Sequence, residues 1–306
     1  MPSNARRKKQ AVKLSVIKSI VPALIVREGE FASLGSVTHS SSRLLVFIEN
    51  ERFIAALLSN PQISCVLTTP ELVDKIPDSI GVAVLENPRR SFYESHNYLA
   101  INTDFYGKPF ASQISKLAKI HSSAIISENN VVIGDDVIIE PNTVIKAGTT
   151  IGDGCVIRAG VTIGMEGFEF KRFGEEIYYI EHAGGAHLGK RVEIQSNSNV
   201  DRSVFGRPTV IGNDSKIDTI VHVGHHVVVG KRCLIAAMTV LSGSCVIGDD
   251  VWIGPNCSIS SEVKVGNHAY VTIGSVVTRD VAPGQHVTGN FAIDHERFLT
   301  FIKSIR

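Results

Sequence analysis

From Ile211 an aliphatic residue recurs at every sixth position, through Ile217, Val223, Val229, Ile235, Leu241, Ile247, Ile253, Ile259, Val265 and Val271 to Val277. The same step runs earlier through Ile133, Ile139, Ile145, Ile151, Ile157 and Ile163, and Leu188, Ile194 and Val200 form a middle block. Four residues beyond each member, the two long runs place a small or β-branched residue, from Val137 and Thr143 to Ser275 and Val281. A six-residue period matches neither an α-helix nor an alternating strand. It predicts short strands separated by tight corners, with three strands and three corners in each turn of a parallel β-helix. About 21 such hexads give roughly seven turns, stacked at a strand spacing of about 4.8 Å. The large residue fills the centre of the prism and the small one fits beside the corner. Sharp bends at the corners call for Gly, Asn or Asp.

The period breaks twice, at 165–187 and at 201–210. A solenoid ejects extra residues as loops from its corners, and such loops commonly carry function. The first insertion gathers Phe168, Phe170, Phe173, Tyr178 and Tyr179, which makes Phe168 and Phe170 candidate ligand contacts. Residues 1–112 lack the hexad and read as a small α/β domain. Leu44–Ile48, Cys65–Thr68 and Val82–Leu85 look like buried strands, while Glu51–Leu58 and Pro70–Lys75 look helical. A connector at Tyr106–Ser115 leads into the solenoid, 113–290. In the last segment, 291–306, Phe298, Phe301, Ile302 and Ile305 lie at helical spacing and predict one amphipathic helix, capping the solenoid or meeting a neighbouring subunit.

Composition narrows the chemistry. Lys and Arg number 31 against 30 Asp and Glu, so the chain carries no polyanion-binding charge and no nucleic-acid partner is expected. The basic run Arg6–Lys9 reads as a solvated tail. Only 7% of residues are aromatic, which disfavours a base-stacking module and makes rings outside the hexads worth following. Of five cysteines, Cys155, Cys233, Cys245 and Cys257 occupy the small inward position and read as buried hydrophobes. Ala11–Val26 is apolar but is interrupted by Lys13, Lys18 and Pro22, too short to span a bilayer and without a cleavage pattern. A cytoplasmic location is the most economical reading.

Acid–base chemistry near neutrality points to histidine. Within the unbroken hexads, His225 and His226 fall on a corner and so point away from the prism. Asp218, at or near the preceding corner, is a candidate acceptor for the Nδ1–H of His225, leaving the other nitrogen as a base. Gly243 lies 18 residues, one full turn, beyond His225, and its N–H suits an oxygen developing negative charge. His222, His225 and His226 lie too close along one edge to form an obvious zinc set, and no metal is expected.

Gly167-Phe168-Glu169-Phe170, Asn199-Val200-Asp201-Arg202, and Ile217-Asp218 followed by Val223-Gly224-His225-His226 resemble the UDP-3-O-acylglucosamine N-acyltransferases of lipid A biosynthesis, within the hexapeptide-repeat acyltransferases. The resemblance covers residues 35–300. It implies a left-handed β-helix, an exception to the usual crossover rule, and a homotrimer with active sites between neighbours. It also implies that His225 is the catalytic base, Asp218 its carboxylate partner and Gly243 the oxyanion donor. Phe47 and Phe53 would sandwich the uracil ring of a nucleotide-linked amino sugar, with Asn50 a polar contact. No bound cofactor is implied; an acyl-CoA or acyl carrier protein thioester is the co-substrate. The chain departs from the family where His226 replaces Asn, where Glu262 replaces a second His, in a shorter N-terminal solenoid, and in its single C-terminal helix. The missing helices favour a short acyl-CoA donor and an O-antigen-type product slightly over lipid A synthesis itself. A non-catalytic nucleotide-sugar scaffold is the alternative of another class.

Overall fold

The computed structural model describes residues 11–289 and 292–305; the Arg6–Lys9 run lies outside the described residues. From Gln113 onward the chain winds as a left-handed parallel β-helix whose three faces hold eight, nine and eight strands. In one representative turn the first face takes Thr209–Ile211, the second Lys216–Ile217 and the third His222–Val223. Successive turns are in register, so Ile217 pairs with Ile194 below and Ile235 above. Every large aliphatic member of the hexads, from Ile133 to Val277, is buried, as are the small inward residues including Cys155, Cys233, Cys245 and Cys257. Three strands not anticipated by the aliphatic run, between Gln113 and Ile126, extend the solenoid at its start.

The corners are more permissive than Gly, Asn and Asp alone. Ile220, Arg232, Met238 and Glu262 take φ between 55° and 65° there, a left-handed conformation that costs an ordinary side chain about 1–2 kcal/mol. Stacking offsets that cost, because each such residue donates its N–H to the preceding turn, as Met238 does to the Thr219 carbonyl at 3.1 Å. Glycine is required where turns approach closely: a Cβ on Gly230 would collide with the Gly248 carbonyl oxygen.

The N-terminal α/β domain is a five-stranded sheet in the order Leu24–Arg27, Gly81–Val84, Ile63–Thr68, Leu44–Ile48, Ser33–Leu34. Helix α1 (Ile54–Ser59) follows the segment expected to be helical, and Pro70–Lys75 forms a 3₁₀ helix. Helix α2 (Pro88–Asn102) was not anticipated. It has clear start signals, with Asn87 capping the Arg90 N–H at 2.9 Å and Pro88 in its first turn. Its buried face mixes Ser91, Ser95 and His96 with Phe92, Tyr93 and Leu99, which dilutes the apolar period. Helix α3 (His295–Ser304) forms as expected but buries no residue within the chain, leaving Phe298 and Phe301 exposed.

Both insertions leave the solenoid at the corner between third and first faces. The first contains a hairpin, Phe170–Phe173 with Glu176–Tyr179. Its Ile180, and Val204 of the second insertion, enter the core of the α/β domain beside Phe92 and Tyr93. Asn97 of α2 clamps the join by donating to the Tyr179 carbonyl and accepting from the Glu181 N–H, both at 2.9 Å.

Candidate functional site

A cleft of about 390 Å³ opens where the α/β domain, the first insertion and this corner meet. Phe47 and Phe53 line it from the α/β domain, Glu169 and Lys171 from the hairpin arm, and His225, Gly243 and Glu262 from three successive turns. Two rings that sequence spacing alone could not bring near His225 therefore share its cavity. A larger groove of about 960 Å³ lies against the linker around Thr103–Phe110; none of His225, Gly243, Phe47 or Phe53 lines it.

His225 stands against Gly243 so closely that a Cβ there would come within 2.7 Å of the ring. The Gly243 N–H donates to no group among the described residues. Two other corner amides at equivalent positions are occupied: Asp249 accepts from the Lys231 N–H at 2.8 Å and Asn267 from the Asp249 N–H at 2.9 Å. An open backbone donor beside an imidazole is the arrangement an oxyanion requires.

Asp218 is not brought to His225. It lies on the preceding corner, where its carboxylate accepts from the N–H groups of Thr219 at 2.7 Å and Ala237 at 3.0 Å. It thus satisfies a corner amide of the next turn, the kind of donor that Gly243 leaves open. Glu169 takes its place: its Oε2 lies 3.3 Å from His225 Nε2, while its other oxygen is 2.5 Å from the Lys171 ammonium. Burial pushes the Glu169 carboxyl up, but the hydrogen bonds and charges of His225 and Lys171 overcome it and hold the group at about 2.

On the other side, His225 Nδ1 faces His226 Nδ1 at 3.2 Å. His226 was expected on an outward corner, yet it is buried, because the second insertion and the α/β domain cover it. Its Nε2 accepts the Phe205 N–H at 3.2 Å, and burial, then the charges of His39, His225 and Arg207, hold its pKa well below the usual histidine range. His39, whose Nδ1 accepts the Ser36 N–H, is pushed down to about 4, chiefly by burial.

The chain carries the bacterial transferase hexapeptide (six repeats) family pattern at residues 130–164, 208–243 and 244–279. It is 35% identical to the UDP-3-O-acylglucosamine N-acyltransferase of Campylobacter concisus, over 92% of this chain and 94% of that one. The chain belongs to the UDP-3-O-acylglucosamine N-acyltransferase family. The enzyme of that name from Campylobacter lari is 34% identical over 86% of this chain and 87% of its own. A UDP-N-acetylglucosamine acyltransferase structure from Campylobacter jejuni shares 21% identity over 64% of this chain and 81% of its own, with a TM-score of 0.49. The chain is accordingly an acyltransferase of the hexapeptide-repeat class.

Within this UDP-3-O-acylglucosamine N-acyltransferase family member, not every anticipated contact reaches the cleft. Asn50 is exposed and spends its side-chain oxygen on the Arg52 N–H at 3.0 Å, opening the turn before α1. Phe168 is 88% exposed, with its ring on Phe170, and neither residue lines the cavity. Phe173 and Tyr178 of the same aromatic loop instead pack against the α/β domain. Phe47 leans on Phe92 and Tyr93, and Phe53 is covered by the Arg52 guanidinium at 4.7 Å from the ring centre. Sequence reading missed Glu169, His39, Lys171 and Phe205 as site residues. The one available signal was that Lys171 sits in the aromatic insertion, two residues after Glu169.

Proposed function

We propose that this chain transfers an acyl group from a thioester to the amine of a UDP-linked 3-O-acylglucosamine. What carries the reading is the single cleft that combines the ring pair Phe47 and Phe53 with His225 and the open Gly243 N–H. The names of the relatives support the lipid A reaction over an O-antigen-type acylation. The alignment spans 94% of the Campylobacter concisus relative, so a short C-terminal region does not set the chain apart from enzymes of that name. A carrier-protein thioester is therefore the preferred donor, and the short acyl-CoA becomes the second choice. The working form proposed is a trimer, with neighbouring subunits completing each cleft.

In the reaction, the amine nitrogen attacks the thioester carbonyl carbon while His225 takes an amine proton. The carbonyl oxygen becomes an oxyanion facing the Gly243 N–H, and collapse expels the thiolate. Base and oxyanion donor are each worth roughly 10²–10³ in rate. No covalent enzyme intermediate is needed, and Glu262, exposed on the rim, is free to meet a cationic amine.

Replacing His225 with Ala is expected to lower turnover about 10²–10³-fold while leaving oligomeric state and circular dichroism unchanged. Near-normal turnover would remove His225 from the reaction. Pairing UDP- and dTDP-linked amino sugars with long-chain acyl carrier protein and short acyl-CoA separates the two acylation readings. Exclusive use of a short acyl-CoA would restore the O-antigen-type one, and nucleotide-sugar binding with no turnover on any thioester would favour a scaffold.

A further inference from the structure

We propose that His225 works through its Nδ1 atom, with Glu169 receiving the Nε2–H and His226 fixing that tautomer. The assignment rests on the reading of His225 as the base, and it replaces Asp218 as the carboxylate partner.

The hydrogen bonds dictate the proton positions in sequence. The Phe205 N–H points at His226 Nε2, 3.2 Å away, so that nitrogen is an acceptor. Thr209 Oγ1 accepts the His226 backbone N–H at 2.9 Å and anchors the ring's position. A neutral imidazole with an accepting Nε2 carries its proton on Nδ1, and burial of His226 keeps it neutral. That proton faces His225 Nδ1 at 3.2 Å, which must then accept. The single proton of neutral His225 consequently sits on Nε2, facing the Glu169 carboxylate at 3.3 Å. Lys171 holds the other Glu169 oxygen and itself lies 5.4 Å from the Tyr93 ring centre.

Such a carboxylate–imidazole pair is the usual orienting device for a general base with the two ring nitrogens exchanged. The incoming amine displaces the long His226 link and presents its proton to Nδ1. The amine lone pair forms the C–N bond, and the carbonyl π pair moves to oxygen. The imidazolium keeps its Nε2–H on Glu169. When the C–S bond breaks, the thiolate recovers the proton from Nδ1. Glu169 is a positioning residue throughout and His226 until the amine arrives, because neither needs to touch the reacting atoms. The first insertion thereby supplies part of the site, since it carries both Glu169 and the Lys171 that restrains it.

The tautomer can be read on the unaltered protein from imidazole ¹⁵N shifts, without substrate. An Nε2–H signature for His225 is expected, and an Nδ1–H signature would overturn the proposal. In turnover, Glu169→Gln is expected to cost about 10²–10³-fold in kcat with KM within about twofold, and to move the rising limb of the kcat–pH profile. Asp218→Asn, assayed in parallel, is expected to change kcat less than about threefold. A larger loss with Asp218→Asn than with Glu169→Gln would return the partner role to Asp218. Because the ¹⁵N signature needs no substrate, failure of this assignment and failure of the acyl-transfer reading appear as different results.

Discussion

The solenoid and its junction with the α/β domain bury residues of opposite character. Inward positions of the solenoid are aliphatic, β-branched or small, with cysteine thiols their only titratable groups. At the junction, His96 is fully buried, bound to the Tyr106 hydroxyl at 2.7 Å and the Glu181 carbonyl at 2.8 Å. His39, His182 and His226 lie close by around the rings of Phe205 and His225. Repetition builds a stiff support from non-directional burial. Chemistry gathers where repetition fails, because buried polar groups must find specific partners and so define one arrangement.

Three experiments break or sharpen that contrast. On the solenoid side, Ile235→Ala removes a fully buried side chain from a close-packed stack and is expected to cost about 2–5 kcal/mol by denaturant unfolding. A loss below about 1 kcal/mol would mean that the stack relaxes and is not close-packed. The junction should be the acid-sensitive part. His39, His96 and His182 sit at about 4, each lowered first by burial. Unfolded histidine lies near 6.5, so the open state binds more protons between these values. Their contribution is full above about pH 6.5 and drains away as pH falls towards 4, each histidine losing roughly 1.4 kcal/mol per pH unit across that window. Glu169, held at about 2, adds its own loss only below the ordinary glutamate range. Hydrogen exchange at pH 7 and pH 5 should show α2 and the inserted hairpin losing protection before the solenoid strands; simultaneous loss would contradict the contrast. The smallest effect is expected at Phe168. Its exposed ring should be replaceable by Ala within about 0.5 kcal/mol of stability, with KM for the nucleotide sugar unchanged, and a raised KM would bring the loop tip back into the site.

Much of the support was legible in the chain. The hexads located the strands, the inward cysteines and the corner that carries His225 and Gly243, because a period of six leaves each side chain one destination. Strand Leu44–Ile48 and the helix around Phe298 and Phe301 followed from local pattern as well. Helix α2 was missed because its buried face mixes polar with apolar residues, and its His96 and the adjoining Asn97 make contacts with residues more than 80 positions away.

The carboxylate beside His225 shows the limit of spacing most clearly. Seven residues separate Asp218 from His225, yet a three-cornered turn puts them on different edges, and Asp218 is spent on backbone amides. Glu169 is 56 residues away along the chain and reaches the ring because an insertion folds back across two turns. Sequence by itself therefore determined the prism, its inward residues and the edge on which His225 stands, since those depend on a local period. Tertiary structure alone decided which carboxylate meets His225, which histidine faces its other nitrogen and which rings share its cleft, since those depend on how irregular segments dock.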